Sequence, residues 1–233
     1  MTDRSSAAFG EAAGPLEPLL SPQLISVNVG LPREVEWRGR TVRTAIFKNP
    51  VRGAVRVRHL NLEGDGQADP TVHGGTYKAV YLYPSEHYAY WRTRIGEQAW
   101  GAFGENLTTA GISEHFIRIG DRLRIGTTEL VVTQPRLPCY KLALRLGRPD
   151  MEKRFLASGL TGFYLRVAVE GEVAAGDAVT VAESAGDSVT VAEVVRLYRT
   201  ERPDVEALRQ LADLPALPEG LRGHFRRLIE RAG

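Results

Sequence analysis

Short runs of apolar and β-branched residues, separated by glycine and proline, fill most of the chain and recur as far as residue 183. Segment 55–62 alternates apolar and polar residues, which is typical of a half-buried strand. Only 150–158 and 87–95, the latter opened by Ser85 as N-cap, have the pattern of helices. The predicted strands are 24–29, 35–37, 41–47, 55–62, 79–83, 122–125, 129–133, 163–169 and 178–181. Many short strands with few helices predict a mainly β fold, a closed or nearly closed β-barrel with peripheral helices.

The last fifty residues carry helix signals instead. Thr190 and Glu193 form a capping-box pattern, and Pro203 suits the first turn of a following helix. Three helices are therefore predicted, at 190–200, 204–213 and 219–231. We accordingly divide the chain into a flexible N-terminal tail (1–22), a barrel domain (23–185) and a C-terminal three-helix subdomain (186–233).

The single cysteine, Cys139, excludes an intramolecular disulfide and a cysteine-rich zinc or iron–sulfur site within one chain. An unpaired cysteine fits a reducing compartment. No run approaches the roughly 20 apolar residues of a membrane span. The protein is therefore predicted to be cytoplasmic with no membrane partner, while its oligomeric state stays open.

The most basic stretch, 33–58, holds eight arginine and lysine residues against Glu34 and Glu36. Such a stripe can bind phosphate backbones, but Trp37 and Phe47 are the only aromatic residues that interleave with it. We favour the interpretation that these arginines lie on the solvent-exposed faces of strands. Nucleic acid is therefore not the expected partner.

Cys139 is the strongest candidate for chemistry. It follows Pro138 in 134–139, a segment whose two prolines predict neither a central strand nor a helix. Arg136 and Lys141 lie nearby in sequence, and two cations at an exposed turn favour the thiolate. A thiolate is both a nucleophile and a soft metal ligand, so the other ligands of a metal here would come from an organic cofactor.

Two glycine-rich loops supply further candidates. The first ends in His73-Gly74-Gly75, where glycines allow close approach of a ligand, and Lys78 follows as a point charge for a phosphate. Alternatively, it is a surface loop with a solvated histidine. In the second loop, Glu105 and Asn106 could bind the polar edge of a heterocycle, or Asn106 could cap its own backbone.

Six motifs, taken in order, resemble those of the MOSC domain, the module named for the C-terminal part of molybdenum-cofactor sulfurase. The YiiM-like branch, which has a three-helix C-terminal extension, is most similar. Where the family commonly has Pro-Asp after the glycines, this chain has Thr76-Tyr77. The motifs are 44–48, 64–69, 72–75, 104–107, 119–121 and 134–141.

The resemblance implies a MOSC-type β-barrel that binds molybdenum cofactor (molybdopterin) and reduces N-hydroxylated bases or related N-oxygenated compounds. Cys139 would be the molybdenum ligand and a catalytic residue, with His73 as a second catalytic candidate. An external flavin or iron–sulfur reductase would deliver electrons, because the chain has no recognisable entry point for them. Binding of pyridoxal phosphate is left open. The residues that would hold the cofactor or shape its pocket are His73, Gly74, Gly75, Lys78, Glu105, Asn106, Arg136 and Lys141.

Three alternatives remain beside the reductase. The first is a sulfur carrier or transferase with a persulfide on Cys139. The second is a module that binds cofactor or a partner without catalysis. The third is a nucleic-acid binder that uses the arginines of 33–58 and the helical C-terminal tail.

Overall fold

The structure is a computed structural model that describes residues 21–68, 74–200 and 204–232. The predicted tail falls almost wholly outside these residues, as do His73 and Pro203. The helices are α1 (Glu86–Ile95), α2 (Tyr140–Leu146), α3 (Met151–Ser158), α4 (Val191–Arg199), α5 (Val205–Asp213) and α6 (Glu219–Ala232). The strands are β1 (Gln23–Val29), β2 (Arg33–Trp37), β3 (Arg40–Thr44), β4 (Asn49–Val51), β5 (Val55–Val57), β6 (Val80–Pro84), β7 (Leu107–Ala110), β8 (Arg122–Ile125), β9 (Thr128–Pro135), β10 (Phe163–Val169), β11 (Gly171–Val173) and β12 (Val179–Glu183).

An eight-stranded sheet dominates the fold, in the order β12-β8-β9-β10-β6-β7-β1-β4. Its pairs are antiparallel except β6 and β7, which run parallel. The start of β1 also meets the chain just before β12: Leu24 N donates to Asp177 O (2.8 Å), and Gly176 N donates to Leu24 O (2.7 Å). These bonds bring β1, the neighbour of the end strand β4, against the β12 end of the sheet, and the predicted mainly β barrel with peripheral helices is confirmed.

Alternation of side chains explains how the barrel is filled. Phe163, Leu165 and Val167 of β10 are buried while the residues between them are partly exposed, as the period of two in a strand requires. A second, aromatic cluster lies between the sheet and the helices α1 and α3. Its largest fully buried members are Tyr83, Trp91, Phe103 and Phe155.

The three C-terminal helices agree with the predicted extension. Thr190 is the N-cap of α4, and its hydroxyl accepts a hydrogen bond from Glu193 N at 3.2 Å. Buried residues of α4, α5 and α6 belong to the same hydrophobic cluster as the barrel interior, and α4 packs against β9. The boundary at 185/186 stays a prediction. No helix in the described part of the chain is long and apolar enough to cross a membrane.

Some local predictions were wrong. Segment 55–62 forms a strand only over Val55–Val57, because the chain turns and Glu63 N bonds back to Arg56 O. Helix α2 was not predicted. Strand β9 continues to Pro135, between β8 and β10, so the start of 134–139 does belong to a central strand. Pro135 is tolerated there because it is the last residue of the strand, where one missing donor interrupts no continuing ladder.

Candidate functional site

Cys139 lies in the short connection between the barrel strand β9 and the helix α2. Strand β9 ends at Pro135, and Cys139 takes extended backbone angles (φ −135°, ψ 169°) as the residue before α2. Its carbonyl accepts a hydrogen bond from Leu142 N at 2.9 Å, which fixes the first turn of α2. The side chain is partly exposed and opens into a cavity in the barrel wall.

The cavity is rich in cations. Lys48, Lys78, Arg136 and Lys141 line it together with the thiol of Cys139. One carboxylate, Asp65, reaches it among the described residues. Its remaining walls include aromatic and aliphatic side chains and amides, namely Ile46, Gln67, Tyr81, Phe103, Asn106 and Tyr164. A cavity of this composition suits an anionic ligand with a planar ring system.

Arg136 has an unused donor in this cavity. The side chain is 5% exposed, yet its Nη1 has no hydrogen-bond partner among the described residues. Its guanidinium lies over the rings of Tyr81 (5.7 Å) and Phe155 (5.2 Å), so cation–π contacts stabilise part of the charge. A buried N–H without an acceptor costs roughly 1–3 kcal/mol, and an anionic ligand in the cavity would remove that cost.

A buried ion pair forms another part of the wall. Lys48 Nζ donates to Asp65 Oδ1 at 2.5 Å, and both side chains are less than a tenth exposed. Asp65 Oδ1 also accepts from Gly30 N (2.9 Å), while Oδ2 accepts from Asn106 Nδ2 (2.9 Å). Burial lowers the pKa of Lys48 below its usual value, against the opposing effect of Asp65.

Glu105 lies behind the cavity and does not line it. Its carboxylate accepts hydrogen bonds from Gly101 N (2.8 Å), Phe103 N (3.1 Å), Thr108 Oγ1 (3.0 Å) and the Tyr88 hydroxyl. Burial raises the pKa of this fully covered carboxyl, although these bonds favour the charged form. Glu105 therefore holds the turn 101–104 in place, and that turn supplies part of the cavity wall.

The structure thus places the predicted site residues in three groups. Lys78, Asn106, Arg136, Cys139 and Lys141 line one cavity. Gly74, Gly75 and Glu105 do not appear in its lining; Gly75 N instead donates to Gln67 Oε1 at 2.8 Å. His73 falls outside the described residues.

Sequence reasoning gave no role to Lys48 and Asp65. Both lie inside motifs on which the resemblance rests, 44–48 and 64–69, and Lys48 is one of only four lysines in the chain. Those two signals could have singled them out, but the pairing across 17 residues was not visible in the sequence.

No cluster of three or more histidine, cysteine, aspartate or glutamate side chains that could bind a metal occurs in the described ranges. A metal in this cavity would therefore draw most of its ligands from an organic group. The protein would contribute the thiol of Cys139, a soft ligand.

Comparison with known proteins identifies the family. Residues 69–180 match the model of the MOSC domain, and residues 189–232 match that of the YiiM-like 3-alpha helix domain. The crystal structure of YiiM from Geobacillus stearothermophilus superposes with a TM-score of 0.75 at 34% identity, covering 89% of this chain and 99% of that one. This chain is a MOSC protein of the YiiM-like branch. The resemblance predicted from the six motifs is confirmed.

Two further proteins are similar to this MOSC chain. The uncharacterized protein YflK of Bacillus subtilis (strain 168) is 37% identical over 209 residues, which cover 89% of this chain and 95% of that protein. A protein of Gibberella moniliformis (strain M3125 / FGSC 7600) named "Reductase" is 32% identical over 182 residues. That match covers 76% of the MOSC chain described here but 32% of the fungal protein, so the chain spans about a third of the latter.

Proposed function

We propose that this MOSC protein is a molybdenum-cofactor-dependent oxidoreductase that reduces N-hydroxylated bases or related N-oxygenated compounds. The observation that supports it best is the joint presence of one soft thiol and four cationic side chains in a single cavity. A relative named as a reductase agrees with this class of reaction.

The residues present fit the cofactor. Molybdopterin carries a phosphate, and Arg136 offers a buried N–H without a partner among the described residues. Lys78, Arg136 and Lys141 would bind the phosphate and the pterin, and Cys139 would ligate molybdenum. Tyr81 and Phe103 would cover the ring faces of the pterin or of a heterocyclic substrate.

When bound, the cofactor supplies the two electrons that cleavage of an N–O bond needs, and no side chain of this chain can supply them. The protein's own part is to bind the anion, exclude water and deliver protons. Burial raises the pKa of Tyr81 and Tyr164 above the usual phenol value, so both stay neutral and form part of the cavity wall. We further propose that electrons come from an external flavin or iron–sulfur reductase.

The first test is the molybdenum and pterin content of protein from a host that makes molybdenum cofactor. We expect molybdenum in the wild type, near-complete loss in Cys139→Ser, and retention in Tyr140→Phe. Tyr140 is the control because it adjoins Cys139 but is 45% exposed. Inductively coupled plasma mass spectrometry gives metal per chain. A wild type free of molybdenum would contradict the proposal and favour the persulfide carrier.

A further inference from the structure

Reduction of an N-hydroxylated base consumes protons as well as electrons. The balanced reaction is R–NH–OH + 2 e⁻ + 2 H⁺ → R–NH₂ + H₂O, in which the N–O bond breaks and nitrogen is reduced. The hydroxyl group leaves as water only if it receives a proton. A side chain in the cavity that gives up a proton near neutral pH would accelerate that step.

We propose that Lys48 donates this proton to the departing hydroxyl oxygen, with Asp65 as the residue that positions it. The inference rests on the proposed function, since it names the acid in the same site. The neutral amine of Lys48 then regains its proton from solvent, and a bound cofactor would supply the two electrons, replenished by the external reductase.

Three other polar groups of the cavity suit the task less well. Arg136 is never deprotonated in proteins. The hydroxyl of Tyr81 donates to Thr161 O at 2.8 Å, and burial raises the pKa of Tyr81 well above its usual value, which makes it a weak acid. Both oxygens of Asp65 already accept hydrogen bonds, from Lys48, Gly30 and Asn106, which suits a residue that positions Lys48.

Lys48 lies in the wall of the cavity and has more than one N–H donor. Its ammonium group has three N–H donors, of which Asp65 takes one, and the side chain lines the cavity that Cys139 also lines. Burial is the largest influence on it and lowers its pKa, which brings the ammonium closer to the range where proton transfer is efficient. The charged and titratable groups around it are Asp65, Glu105, Lys78, Tyr81, Arg136, Cys139, Lys141 and Tyr164.

The first test measures the acid itself, without turnover. The chain has only four lysines, at 48, 78, 141 and 153, so ε-¹³C-lysine NMR of the purified protein gives four signals. Lys48→Arg assigns the signal of interest. We expect that signal to titrate below the ordinary lysine pKa of about 10.4. A titration at or above that value overturns the proposal.

The second test compares variants loaded with cofactor. We expect Lys48→Arg to retain molybdenum and KM but to lose kcat by roughly 10²–10⁴-fold, the usual contribution of a general acid. Lys48→Met is the alternative if the arginine variant does not fold. The control is Lys153→Arg, an exposed lysine of α3, which should keep wild-type kcat.

The third test separates a proton donor from a structural ion pair. An acid must be protonated to act, so wild-type kcat should fall as pH rises through the pKa of Lys48. Asp65 raises that pKa, and Asp65→Asn should therefore shift the falling limb to lower pH. Lys48→Arg should lose the limb altogether.

Two results would each overturn the role of Lys48 while leaving the proposed function intact. One is a Lys48→Arg variant that is as active as the active wild type. The other is loss of molybdenum from Lys48→Arg. A wild type that carries molybdenum but reduces no N-hydroxylated compound overturns the proposed function and this role together.

Discussion

Single residues shape the cavity wall through backbone geometry. Gly104 has φ of +86°, and an added Cβ would lie 2.9 Å from Ile46 Cγ1, so both the backbone and the space favour glycine. Phe103 and Gly104 line the cavity from one side and Ile46 from another. The contact between Gly104 and Ile46 therefore sets how closely these two parts of the cavity wall approach each other.

We predict that Gly104→Ala destabilises the protein by about 2–3 kcal/mol, through backbone strain and overpacking against Ile46, and lowers its molybdenum content. Gly147→Ala is the matched control, because Gly147 has φ of +64° and ψ of 21° but nothing within 4 Å of an added Cβ. It should cost only the strain of the backbone, about 1 kcal/mol. Urea denaturation measures both, and equal losses would show that Ile46 does not constrain Gly104.

At the scale of elements, the ends of helices show where a local signal is used and where it is not. Thr190 caps α4 through its hydroxyl, whereas Ser85 precedes α1 in a helical conformation with no side-chain cap bond. The Ser85 hydroxyl lies instead near Glu86 Oε2, at 3.4 Å. The prediction that Ser85 is an N-cap is correct in position but wrong about the hydrogen bond.

Thr190→Ala should therefore destabilise the protein by about 1 kcal/mol, the usual value of an N-cap hydroxyl. Ser85→Ala should change the free energy of unfolding by less than about 0.5 kcal/mol. Chemical denaturation followed by circular dichroism gives both values. A loss for Ser85→Ala as large as that for Thr190→Ala would contradict this account of the two caps.

A buried histidine–carboxylate hydrogen bond ties α1 to two loops. His87 Nε2 lies 2.9 Å from both carboxylate oxygens of Glu114, and Gly162 N donates to Glu114 Oε1 at 2.6 Å. Burial raises the pKa of Glu114, but the hydrogen bond and charge of His87 outweigh it and bring the pKa below its usual value. A carboxyl group with a depressed pKa stabilises the folded state above its unfolded pKa, and that contribution is lost as pH falls.

Glu114→Gln should thus cost about 3 kcal/mol at neutral pH, with the difference from wild type shrinking as pH falls below about 4.3. The control is Glu129→Gln, whose carboxylate pairs with Arg122 and Arg124 near the surface and should matter little. Denaturation curves between pH 7 and pH 3 measure the trend. A difference that grows toward acid pH would contradict it.

At the scale of the whole molecule, the barrel and the C-terminal helices share one hydrophobic cluster. Phe225 of α6 is fully buried in it. The three tryptophans, at 37, 91 and 100, all lie outside the helical extension, so their fluorescence reports on the barrel alone. Shared packing predicts that the two parts unfold together.

We predict that Phe225→Ala lowers the free energy of unfolding by about 3–5 kcal/mol and shifts the tryptophan-fluorescence and circular-dichroism midpoints equally. Phe116→Ala is the control, since Phe116 is 82% exposed and should have little effect. An unchanged fluorescence midpoint in Phe225→Ala would show that the extension unfolds independently and would support the predicted boundary at 185/186.

Most strands, the three C-terminal helices and the mainly β class could be predicted from sequence, because alternation, helix caps and glycine turns act between residues close in the chain. The cation-rich surroundings of Cys139 were visible for the same reason, since Arg136 and Lys141 lie within three residues of it. Helix α2 was missed because it follows two prolines.

Only the tertiary structure decided which distant residues share the cavity. The Lys48–Asp65 pair, its hydrogen bond to Asn106 and the burial of Glu105 against Tyr88 depend on contacts across 17 to 41 residues. The parallel pairing of β6 with β7 and the meeting of β1 with the start of β12 are equally non-local. Such contacts form when buried polar groups find partners and apolar surfaces pack, and local propensity does not encode either.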